Sequence, residues 1–196
     1  MKYIFSEKTV VLLNHLIALF TKMSKRYRQY FGILMALLAY YLVHEGAHFI
    51  YALSQGVFRT IRFMGVGVQI DIYAELLTDH QLGIFCLVGA VATLLVAWLL
   101  ILMLRHIVRC RSKVVLAAVY YITMAMLFLD PLYLSLLCDL FGGGDMNGIR
   151  LLLPEIPVRI AFALLFMAHA LLFARYVLPR YKAAFNGLDQ TDNRMN

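Results

Sequence analysis

The residues able to do chemistry sit in one run, Tyr40-Tyr41-Leu42-Val43-His44-Glu45-Gly46-Ala47-His48-Phe49-Ile50, where two histidines and a glutamate interrupt an apolar stretch. This is an HExxH pattern. On a helix, residues four apart share a face, so His44 and His48 can turn imidazole nitrogens toward one Zn²⁺ ion. Glu45, one residue on from the first ligand, then reaches an attacking water as general base. With 6 His and 4 Glu in 196 residues, a chance match is expected about 0.004 times per chain. Three ionisable side chains in hydrocarbon cost several kcal/mol unless paired or metal-bound, so an accidental match inside a membrane span is rarer still.

Two histidines leave a catalytic zinc one protein ligand short, because such sites hold three ligands and keep one position open. Asp130, Asp139 and Asp145 are the candidates. The run Phe141-Gly142-Gly143-Gly144-Asp145-Met146-Asn147-Gly148 singles out Asp145, since glycines permit close backbone approach to a metal. Asp139 comes next, and Asp130 and Asp139 are both suited to orienting a histidine instead. Cys86, Cys110 and Cys138 are odd in number and widely spaced, which indicates neither a disulfide framework nor a thiolate zinc site.

Elements must position these residues, and composition says in what solvent. The chain is 63% hydrophobic and 15% charged, with mean hydropathy +0.78, against about 25% charged residues in a soluble domain. A soluble or disordered chain is ruled out, and the expected solvent is the lipid bilayer. Residues 30–53, 82–104, 114–137 and 158–177 are each long and apolar enough to span it. Residues 1–29 hold a shorter apolar stretch, Thr9 to Phe20, flanked by lysines and arginines and without a small-residue cleavage site; an interfacial or short membrane helix is expected there.

Residues 57–73 are rich in β-branched and aromatic types, near-alternating, and broken at Gly65-Val66-Gly67, which predicts a hairpin or extended strand. Residues 179–196 form a polar tail expected to fray. The expected fold is thus an all-α, multi-pass integral membrane protein. It has four to five transmembrane or interfacial helices, a short membrane-associated β segment, and a membrane-embedded core over residues 30–178. Counting spans returns the Gly-rich run to the membrane face on which the His48 end of the first span lies.

The net charge of +7 and pI of 9.4 do not indicate nucleic acid, because the basic residues cluster at the ends of apolar runs. Eleven lie on one side: Lys22, Lys25, Arg26 and Arg28; Arg105, Arg109, Arg111 and Lys113; Arg175, Arg180 and Lys182. Arg59, Arg62 and Arg150 lie on the other. The positive-inside rule therefore puts the active-site end of the first span outside. His15 and His169, each alone in an apolar helix, read as hydrogen-bonded packing residues, and the Phe and Tyr residues as lipid-facing or interfacial.

The pattern resembles the site-2 protease class of intramembrane zinc metalloproteases, the M50 family, and particularly its short M50B-like members. The resemblance runs from about Leu34 to Leu172: an HExxH helix, a membrane-associated β segment, a glycine-bearing helix, then an Asp-bearing loop. It implies His44, His48 and Asp145 as zinc ligands and Glu45 as the catalytic base. Asp145 matches the family's aspartate loosely, since Met146-Asn147-Gly148 follows where many members have glycine directly. The family's Gly-Pro-x-x-Asn element is represented by Gly89-Ala90-Val91-Ala92-Thr93, which keeps the glycine and lacks the proline and asparagine.

The implied activity is hydrolysis of a peptide bond in or near a transmembrane segment of a membrane-protein substrate, in a bacterial cytoplasmic membrane. The family places the active-site end toward the cytoplasm, against the charge count, and the charge asymmetry tips the expectation to the charge rule. The rivals are a catalytically silent membrane scaffold and a metal-ion transporter using the same His/Asp cluster. Glu45 separates these readings, because hydrolysis needs a base beside the ligands and transport does not.

Overall fold

The structure, a computed structural model, describes residues 24–64 and 67–195. The apolar stretch Thr9 to Phe20 and His15 fall outside the described residues, while residues 25–29 already belong to the first helix. Four helical segments, Lys25–Ser54, Asp79–Leu102, Lys113–Leu140 and Glu155–Thr191, are long and apolar enough to cross a membrane. Large apolar side chains on their outer faces, such as Leu42, Ile50, Leu102 and Leu164, are two-thirds to three-quarters exposed. That is the surface of a protein solvated by lipid.

Helix α1 (Lys25–Ser54) runs about 45 Å and stops in a glycine-terminated turn. Gly56 takes φ +68, and the amides of Gly56 and Val57 return to the carbonyls of Leu53 and Ala52. Only a residue without Cβ takes that backbone easily, and the turn throws the chain back against its own helix. The expected β segment follows as an antiparallel hairpin, β1 (Phe58–Met64) and β2 (Gly67–Ile72), with Ile61 opposite Ile70 and an irregularity between Phe58 and Thr60. Ile70 is the buried residue of β2.

Helix α2 (Asp79–Leu102) starts at a reciprocal cap, in which Thr78 Oγ1 accepts from the Gln81 amide and Gln81 Oε1 accepts from the Thr78 amide. Its inward stripe is small: Gly83, Cys86, Gly89, Ala90, Thr93 and Ala97 are buried. Small residues let helices approach closely in a membrane, and α2 packs between α1 and α3 (Lys113–Leu132).

Pro131 lies inside α3 and has no amide to give the carbonyl of Leu127. His169, on α5 (Glu155–Leu172), fills that gap: its Nδ1 donates to Leu127 O at 2.8 Å. His169 is therefore a packing residue, as expected. Beyond Pro131 the chain loosens into a wide helical turn over Tyr133–Leu137 and a tight one over Cys138–Phe141, then enters the short helix α4 (Asp145–Ile149).

Two expectations are corrected. The polar segment from residue 179 does not fray but forms α6 (Leu178–Met195), joined to α5 through a wide turn at Phe173–Val177. Tyr181 and Val177 are fully buried, Phe185 and Leu188 pack beside them, and Lys113 pairs with Asp189 at 2.5 Å. The tyrosines are not all peripheral: Tyr181 lies in the core and Tyr40 faces inward to Asp130. The core divides into two clusters, one around Phe85, Ala90, Met146 and Ile149 near the histidines, and one around Ile101, Leu116, Leu127 and Tyr181 toward the other end.

Candidate metal centre

One turn of α1 separates His44 from His48, and both side chains are buried. Their Nε2 atoms face each other at 3.2 Å. Asp145 meets them from the start of α4, with Oδ2 3.2 Å from His44 Nε2 and Oδ1 3.8 Å from His48 Nε2. The glycines before it make this approach possible. Gly142, Gly143 and Gly144 take φ of +75, +88 and +44, a backbone closed to most side chains. A Cβ on Gly144 would collide with the Tyr133 hydroxyl, and one on Gly143 with the side chain of Asn147, whose Nδ2 holds the turn by donating to Gly142 O at 2.9 Å.

These three residues could hold a metal ion, and the donor set fits zinc. Bonds of roughly 2.0–2.1 Å to a tetrahedral ion place ligand atoms roughly 3.3 Å apart, close to the separations seen. The floor also fits. A Cβ at Gly89 of α2 would stand 2.5 Å from His48 Nε2 and 2.8 Å from His44 Nε2, so glycine alone leaves room for the two nitrogens.

Behind His44 stands Asp130. Its Oδ1 lies 3.2 Å from His44 Nδ1, within reach of its charge though not aligned as a hydrogen bond. Asp130 is itself buried and held on both oxygens: the Tyr40 hydroxyl donates to Oδ1 at 2.6 Å, and the Thr93 hydroxyl donates to Oδ2. A carboxylate behind a metal-ligating histidine fixes its ring and tautomer, and Asp130 stands at the Nδ1 side of His44 where such a carboxylate would act. Asp139 is elsewhere, paired with Arg159 at 2.6 Å and facing Arg150 at 3.9 Å.

Glu45 points to the hairpin. Its Oε2 accepts from the Ile70 amide at 3.1 Å, which leaves Oε1 for a proton. A cavity of about 330 Å³ opens here between α1, β2 and α4, lined by Tyr40, Glu45, His48, Val68, Phe85 and Asp145. Tyr40 stacks on the His44 ring and Phe85 tilts against that of His48. The structure thus brings together His44, Glu45, His48 and Asp145 from four sequence expectations.

Two contributors were not anticipated from sequence. Tyr40 reads as one more lipid-facing or interfacial aromatic, and Thr93 only as the residue at the end of the Gly89 to Thr93 element; both instead grip Asp130. The signal for Thr93 was its place in an apolar span, where a hydroxyl needs a partner. Comparison of the chain with protein-family models, curated proteins and solved structures finds no match.

Proposed function

We propose that this protein is an intramembrane zinc metalloprotease of the site-2 protease type, hydrolysing a peptide bond in or near a transmembrane segment of another membrane protein. The observation that carries the reading is the position of Glu45. Its carboxylate, held on Oε2 by the Ile70 amide, lines the same cavity as the His44, His48 and Asp145 group, with Val68 to Ile70 of β2 along the wall. A site for metal storage or passage has no need of it.

His44, His48 and Asp145 would hold the ion, and when bound it would serve as Lewis acid for the scissile carbonyl and the attacking water. Glu45 takes a proton from the water as its oxygen attacks the carbonyl carbon. The same carboxyl then delivers that proton to the leaving nitrogen as the C–N bond breaks. The Ile70 amide keeps the carboxylate aimed at the cavity throughout.

A transmembrane helix hides its peptide bonds, so the substrate must unwind before it can be cut. Among the described residues β2 pairs with β1 alone, which leaves its other edge without a strand partner, and Val68 to Ile70 line the cavity. An unwound substrate segment adds to that edge as a strand, which presents its carbonyls in register to the site. The Glu45→Gln variant tests the reading. It is expected to keep its metal and lose cleavage by a factor of 10² or more; cleavage by this variant at the unmodified rate overturns the assignment.

A further inference from the structure

A second cavity, of about 390 Å³, opens where the start of α1 meets the first turns of α3 and the body of α6. It lies far from the histidines: nineteen residues of helix, about 28 Å, separate Lys25 from His44. Its wall carries Lys25 and Arg28 from α1 and Lys182 from α6, beside Tyr120 and Tyr121 of α3. The carboxylate on this wall, Asp189, pairs with Lys113 at 2.5 Å. Among the described residues Lys25 and Lys182 form no ion pair.

Depth matters as much as charge. Lys25 opens α1 and Lys113 opens α3, so the cavity sits where two spans leave the hydrocarbon. That is the level of lipid phosphates, where tyrosine rings also partition. The same end gathers most of the chain's cations, the arrangement that faces the leaflet richest in anionic lipid. A groove between spans with unpaired lysines at its rim and aromatic walls matches a phosphodiester headgroup with its glycerol.

We propose that this cavity binds the headgroup of an anionic glycerophospholipid, with Lys25 and Lys182 as the counter-charges of its phosphodiester. The recognised chemistry, a phosphate oxyanion, also exists as free phosphate, and the test separates the two. The full chain in non-ionic detergent is titrated with short-chain phosphatidylglycerol, short-chain phosphatidylcholine or inorganic phosphate while the thermal unfolding midpoint is followed. A ligand of the folded state raises that midpoint with concentration.

Phosphatidylglycerol is expected to raise it, and phosphatidylcholine and inorganic phosphate to leave it in place. K25Q/K182Q should weaken the phosphatidylglycerol response at least tenfold, whereas R109Q, a charge at the same end outside the cavity, should keep it. If the double variant does not fold, the single variants K25Q and K182Q and the charge-preserving K182R serve, the last retaining the response. Equal responses to both lipids, a full response to phosphate alone, or an equal loss in R109Q would each overturn the proposal.

Discussion

At the scale of the residue, the site is specified by contacts that differ greatly in sequence range. His44, Glu45 and His48 are legible in the sequence because helical geometry alone puts the two imidazoles on one face. Asp145 is legible because a run of three glycines marks a backbone that must bend tightly. The Tyr40, Thr93 and Asp130 network is not, since it joins three helices through contacts 37 and 90 residues apart. If Asp130 orients His44, Asp130→Asn should weaken zinc binding by roughly 10- to 100-fold in chelator competition. Tyr40→Phe and Thr93→Val, which each remove one hydrogen bond to it, should cost roughly two- to tenfold. Unchanged affinity in all three would leave Asp130 with no orienting role. Two glycines provide a further contrast. Gly89→Ala puts a methyl against both ligand nitrogens and should abolish zinc retention, while Gly46→Ala, with nothing within 4 Å, should retain it.

Elements explain how an apolar bundle tolerates these polar groups. The α3 helix carries Asp130 beside Pro131, and the proline leaves a carbonyl that His169 satisfies from α5. A lone histidine in an apolar helix reads from sequence as packing, but its partner does not, because the vacant carbonyl lies 42 residues away. His169→Leu strands that carbonyl in the core and should destabilise the fold by about 1–3 kcal/mol. Pro131→Ala, by returning an amide to α3, should reduce the penalty of His169→Leu in a double-mutant cycle read by thermal unfolding; a strictly additive cycle would show that the two residues do not share the Leu127 carbonyl. The misread element is α6. Its composition is polar, yet Tyr181, Phe185 and Leu188 recur at helical spacing, and that stripe docks on the α3 end of the bundle. Mean polarity concealed a pattern that periodicity would have exposed.

For the whole molecule, four helices are long and apolar enough to cross a bilayer, and the distribution of cations gives the direction to be tested. The basic residues at the starts of α1 and α3 and around α6 share one end, while the histidine end carries few. The positive-inside rule then places Cys110, between α2 and α3, in the cytoplasm and the turn after Ser54 outside. In intact cells a membrane-impermeant maleimide should label a Ser54→Cys variant and spare Cys110, which should react only after permeabilisation. The reverse pattern would reverse the orientation and place the cavity of Glu45 toward the cytoplasm.

The proposed proteolysis requires that His44, His48 and Asp145 hold zinc, so the most direct measurement is zinc per purified chain by elemental analysis in detergent. It is made on the unmodified protein and on His44→Ala, Asp145→Ala and Glu45→Gln. Near one equivalent is expected in the unmodified protein and in Glu45→Gln, none in His44→Ala, and a lost or weakened site in Asp145→Ala. A folded unmodified protein without zinc, or zinc indifferent to His44→Ala, would contradict the zinc assignment.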